Sequence, residues 1–199
     1  MLQLKNNKII NYGNRGMALE EDINLTNEYY KEKHIALIYK KPIPIKVLKV
    51  TPDKMRIQEA FYEKKSTLDY SGIYKEKYIE FDAKETNSKT SFPISNIHIH
   101  QIEHIKNVIE YGGIAFLIVR FNLQNKTYIL MGKDLIEFLD TNERKSIPLS
   151  YFEQNCKSIE FKLRPRIDYL KIEIKERIIF KINLLTKLAA TYFPSPSKR

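Results

Sequence analysis

Cysteine is all but absent from this chain: Cys156 stands alone in 199 residues. A lone thiol excludes an intramolecular disulfide and any multi-thiolate zinc site. Long apolar runs are missing too. None approaches the roughly 18–20 residues that a bilayer-spanning helix requires. The opening stretch MLQLKNNKIINYGNRG carries no apolar segment of the kind a secretory leader needs, so the expected location is cytoplasmic. Acidic residues are the last deficit, 24 against 34 basic, which leaves a formal charge of +10. Such a surplus favours an anionic partner, nucleic acid first, although a composition rich in Lys, Ile and Asn yields it without any site.

What is present suits a folded domain. Hydrophobic residues make up 43% and charged residues 29% of a chain long enough to bury a core. No internal repeat is visible. Residues 16–34 set Leu19, Ile23, Thr26 and Tyr30 at i, i+4, i+7 and i+11, one face of an amphipathic helix. IALIYK (35–40) has strand character, and the prolines at 42 and 44 suit an edge or a strand start. Residues 51–65 lack clean periodicity and predict a projecting loop or hairpin, and YSG (70–72) predicts a turn. KYIEFDAKE (77–85) alternates, with Tyr78, Glu80, Asp82 and Lys84 on one face.

Ile102, Ile105 and Ile109 predict a helix over 98–111, ended by Gly112 or Gly113. GIAFLIVRF (113–121) is a buried-type strand with KTYILM (126–131) as its hairpin neighbour, and a short helix is expected at 133–140. A basic amphipathic stretch around 176–190 precedes a Pro/Ser-rich end. The order of elements predicts an α/β domain, a mixed central sheet with helices on both faces.

Asp69, Asp82 and Lys84 carry the candidate chemistry. Phosphodiester hydrolysis calls for a hard divalent cation, and Mg²⁺ takes oxygen ligands, one or two of them carboxylates. A lysine two residues from a ligand on the same strand face points into the same pocket, where it can orient water or stabilise a pentavalent phosphate. Thr67 shares a face with Asp69 in extended backbone. Gln101 falls with Ile105 and Val108 at i, i+4, i+7, a polar amide at the margin of an apolar face, which needs a partner. The same spacing also describes a solvated strand face with cross-strand ion pairs, and an amide bonded to water. Spacing alone leaves both open. HIHQIEH (98–104) places His100 and His104 at i, i+4, but no second His or Cys cluster completes a zinc site. Histidines beside phosphate are the other reading.

The blocks NYGNRGMALEEDINLTNEYY (11–30), KKPIPI (40–45), STLDYSGIYKEKYIEFDAKET (66–86), KTSFP (89–93), HQIEHIK (100–106), GGIAFLI (112–118), RKSIP (144–148) and PRIDYLKI (165–172) stand in series over nearly the whole chain. In this order they resemble the RecU family of Holliday-junction resolvases. The resemblance implies a restriction-endonuclease-like core, a homodimer, and Mg²⁺-dependent nicking of four-way DNA junctions in recombination and repair. It implies Thr67, Asp69, Asp82 and Gln101 as metal ligands and Lys84 as the stabiliser of the transition state. Glu20 is implied as a nearby carboxylate, equally readable as a surface residue of its helix. Arg15 is implied at the DNA or the site.

A basic stalk loop at about 50–65 would grip the junction, and Lys46, Lys49, Lys54, Arg56, Lys64 and Lys65 are the expected backbone contacts. Recombinase and branch-migration proteins are the implied partners. The expected organisation is one nuclease domain over 1–175 and a basic helix-like extension over 176–199.

Three departures accompany the likeness. Asp82 stands where the family usually has Glu, one methylene longer. The stalk is a few residues shorter, and the segment after PRIDYLKI is longer. Two other classes of function fit the same fold, a non-catalytic junction-binding regulator and a sequence-specific duplex endonuclease.

Overall fold

The helix read from residues 16–34 forms as α1, Met17–Glu32, and its four periodic residues Leu19, Ile23, Thr26 and Tyr30 are all buried. This computed structural model describes residues 17–53, 56–62 and 67–171. Strand β1 (Leu37–Lys40) follows, then β2 (Ile45–Val50) and β3 (Ile57–Tyr62), β4 (Tyr70–Tyr74), β5 (Lys77–Thr86) and β6 (Ser91–Pro93). A short 3-10 turn leads into α2 (Ile99–Glu110). The remaining elements are β7 (Ile114–Phe121), β8 (Lys126–Met131), α3 (Gly132–Thr141), β9 (Ser146–Pro148), α4 (Leu149–Asn155) and β10 (Lys157–Ile159).

Among the described residues, six strands form one sheet in the order β1-β4-β5-β7-β8-β10. The β5–β7 pair is parallel and its neighbours are antiparallel, so the sheet is mixed, as expected. A parallel pair needs a crossover, and α2 lies within it. The described contacts divide the chain after Ile167. The expected basic extension from residue 176 lies outside the described residues.

Strand parity sorts the core into two layers. Ala115, Leu117 and Val119 of β7 join Ile105 and Val108 of α2, Leu130 of β8 and Leu135 of α3 in one cluster. On the other face, Phe81 stacks between Tyr70 and Phe116 at centroid distances of 4.9 and 4.7 Å, and α1 covers that face. The Tyr70 hydroxyl donates to Asn24 Oδ1 at 3.1 Å, and Asp22 pairs with Arg120 at 2.8 Å. Burying each ring contributes about 1.5–3 kcal/mol.

The turn expected at residues 70–72 is not there. Those residues open β4, and the chain reverses at Lys75 and Glu76, both at positive φ (47° and 64°). Gly72 serves a close approach: a Cβ there would lie 2.1 Å from the carbonyl oxygen of Leu37 on β1. Strand β5 also departs from simple alternation, because both of its faces are covered. Strands β2 and β3 pair antiparallel in a two-stranded sheet of their own, with every residue of both exposed.

Gly72→Ala has no room for its methyl group without displacing β1. The expected cost is about 2 kcal/mol or more, read as a lower urea midpoint. An unchanged midpoint would mean that β1 does not pair as described.

Candidate active site

Asp82, Glu80 and Lys84 point from β5 toward α2, the parity read from the sequence. Glu80 is 1% exposed and Asp82 fully buried. The crossover makes α2 run back along β5, so its early residue Gln101 reaches the Asp82–Lys84 end and His104, one turn later, reaches Glu80. Gly112, at φ +81°, closes that helix and returns the chain to β7.

Each oxygen of Asp82 is engaged. Oδ1 accepts from the Ala83 amide at 2.8 Å. Oδ2 accepts from Gln101 Nε2 at 2.7 Å and lies 2.9 Å from Lys84 Nζ. Lys84 also donates to Gln101 Oε1 at 3.2 Å, which closes a triangle of ammonium, amide and carboxylate. Gln101 Oε1 accepts the His98 amide as well, and Nε2 lies 3.3 Å from the Thr67 carbonyl oxygen. The amide read as marginal is therefore buried and saturated.

Thr67 and Asp69 arrive on the segment before β4. The Lys41 amide donates to the Asp69 carbonyl at 2.7 Å, which ties this segment to the end of β1. The Thr67 hydroxyl oxygen accepts from Lys41 Nζ at 2.5 Å. The Asp69 carboxyl is raised from 3.8 to about 6. Burial is the main cause, the Asp82 charge and a hydrogen bond to it add to the rise, and Lys84 and Lys40 oppose it. Two carboxyls thus share one half-enclosed space.

Glu20 lies across Tyr70 from this pair. It binds Lys40 at 2.5 Å, and the Tyr70 phenol is pushed up by burial and then by the charges of Glu20, Asp69 and Asp82. Lys46, Lys49 and Arg56 lie exposed on the β2–β3 hairpin and take no part in the cluster. Arg15, Lys54, Lys64 and Lys65 lie outside the described residues. The histidines part company: His98 stacks on His100 at 5.4 Å, while His104 Nε2 lies 2.9 Å from Glu80 Oε2. Among the described residues no three His, Cys, Asp or Glu side chains gather at one point.

Sequence reading assigned no role to Lys41 or Glu80, and it read His104 as a zinc ligand or a histidine beside phosphate, whereas its neighbour is Glu80. Glu80 shares strand parity with Asp82 and Lys84, a signal that was available. Nothing in sequence joins Lys41 to Glu80.

The family model for RecU, recombination protein U, matches residues 14–175. The chain belongs to the RecU family. A protein from Pediococcus pentosaceus named Holliday junction resolvase RecU is 50% identical over 166 residues, covering 80% of this chain and 83% of that one. A protein of the same name from Geobacillus kaustophilus is 48% identical over 167 residues, covering 81% and 84%. Among solved structures, an Archaeoglobus fulgidus Hjc, described as a Holliday junction resolvase, aligns at a TM-score of 0.35 and 9% identity over 59% of this chain and 73% of that one. The RecU match spans every described strand and helix from α1 to β10, so the cluster around Asp82 lies wholly inside it.

The raised Asp69 pKa carries a sign. A carboxyl whose folded pKa exceeds its unfolded value costs stability once pH rises past about 4, and the full cost is reached above about 6. Asp69→Asn removes that cost. In EDTA its melting temperature should exceed that of the wild type at pH 8, with the gain shrinking as pH falls toward 4. A gain that is constant with pH would show that Asp69 is not perturbed.

Proposed function

We propose that this RecU chain is an endonuclease that resolves four-way DNA junctions by paired, Mg²⁺-dependent nicking in recombination and repair, on a restriction-endonuclease-like core. The observation that carries the reading is the convergence of Asp69, Asp82, Lys84 and Gln101 on one buried cluster from three separate chain segments. The donor set suits a hard divalent cation, since it is all oxygen and holds two carboxyls whose charges repel. Asp69 and Asp82 would hold the ion, with Thr67 and Gln101 contributing directly or through water. When bound, such an ion supplies positive charge to the phosphate and acidifies water for attack.

The chain's own groups do the positioning. Gln101 fixes the rotamer of Asp82 through Nε2 and holds Lys84 through Oε1. Lys84, partly exposed and tethered by Asp82 and Gln101, presents its one remaining proton to a water or to charge developing on phosphate. Breaking the bond between phosphorus and the 3′ oxygen leaves a 5′-phosphate and a 3′-hydroxyl. A homodimer would present two such sites to a two-fold junction. Lys46, Lys49 and Arg56 on the exposed hairpin, with Lys54, Lys64 and Lys65 of the stalk loop and Arg15 apart from it, would bind backbone phosphates, reading shape and not sequence. Recombinase and branch-migration proteins are the partners that such a reaction brings.

The test is cleavage of an immobile four-way junction and of a linear duplex of matching sequence, each with Mg²⁺. Symmetric nicks are expected in the junction alone. Lys84→Ala should cut at least about 100-fold more slowly while binding the junction as before. Tight binding without cutting, in Mg²⁺ or Mn²⁺, would make the chain a junction-binding regulator. Cutting of the linear duplex at defined sites would make it a duplex endonuclease.

A further inference from the structure

Glu80 stands one strand step from Asp82 and is as deeply buried, yet the proposed chemistry leaves it unused. A carboxylate stripped of water to that extent needs several donors. Tyr78 Oη donates to its Oε2 at 2.7 Å and His104 Nε2 lies 2.9 Å from the same oxygen. Oε1 binds the Lys41 ammonium. Lys41 is the partner with further commitments. Its ammonium donates to Thr67 Oγ1 at 2.5 Å, and its backbone amide donates to the Asp69 carbonyl at 2.7 Å. One residue thus grips both ends of the 67–69 segment, and Glu80 holds that residue in place.

We propose that Glu80 is a positioning residue of the site: through Lys41 it fixes Thr67 and the backbone that presents Asp69 to Asp82. The inference rests on the metal-dependent reading given above and adds a residue to it. Glu80 acts on the ligands through Lys41, not on the reacting atoms. Helix α2 lies along both carboxylates, because Gln101 binds Asp82 and His104, three residues on, lies 2.9 Å from Glu80. A shift of that helix would move the two carboxylates together.

The linkage is tested with Glu80→Gln, Lys41→Met and the double variant. Calorimetry reads Mn²⁺ binding, and junction cleavage and junction binding in EDTA are measured in parallel. Each single variant should bind Mn²⁺ about 10-fold more weakly and cut correspondingly more slowly, with junction affinity in EDTA unchanged. The double variant should be no worse than either single one, since both break one chain of contacts. Lys41 is partly exposed, so Lys41→Met keeps the test alive if Glu80→Gln does not fold. Wild-type Mn²⁺ affinity in both single variants, or additive losses in the double, would overturn the role of Glu80 while leaving the nuclease reading intact. A wild-type chain that neither binds Mn²⁺ nor cuts the junction would overturn both.

Discussion

Charge buried on the inner face of β5 is the constraint around which this site is built. Glu80, Asp82 and Lys84 all face α2, and the strand carrying them sits near the middle of the sheet with a helix on either side. An unpaired charge there would cost several kcal/mol, so each group must be given a partner by an element distant in sequence. Gln101 and His104 come from α2, Lys41 from the end of β1. The helix is pinned in register by polar bonds as well as by Ile105 and Val108. Its placement is thus a condition for folding and for the shape of the site at once.

The two proposed ligand carboxyls differ in how well they are satisfied. Asp82 has donors on both oxygens, whereas Asp69 meets the charge of Asp82 and is held protonated to an unusually high pH. Local rules are broken where function needs them broken. Here the break is a like-charge pair, which a divalent cation would resolve. The surrounding network keeps the pair from relaxing apart: Lys41 holds the backbone of Asp69, and Gln101 holds the side chain of Asp82 and the carbonyl of Thr67.

The exposed hairpin obeys the opposite logic. Among the described residues, strands β2 and β3 pair only with each other, across a register shift around Lys49, and none of their residues is buried. Lys46 and Lys49 on β2 and Arg56 just before β3 are exposed. That suits contacts with a phosphate backbone, which are numerous, individually weak and sensitive to salt.

Periodicity alone revealed α1 through Leu19, Ile23, Thr26 and Tyr30, and α2, β7 and β8 through their apolar spacing, because these patterns follow from burying one face or both. It also placed Asp82, Glu80 and Lys84 on one side of a strand. Serial blocks along the chain carried the family and, with it, Thr67, Asp69 and Gln101. The YSG tripeptide was misread as a turn, since a glycine needed for close approach to Leu37 looks in sequence like one needed for reversal. The short elements β6, β9, α4 and β10 carried too few residues to show a period. Which charge meets which was decided only by the tertiary structure. The bond from Lys41 to Glu80 and the 2.9 Å approach of His104 to Glu80 join residues 39 and 24 positions apart. Such pairs arise when the crossover lays α2 back over β5, and no local pattern encodes that meeting.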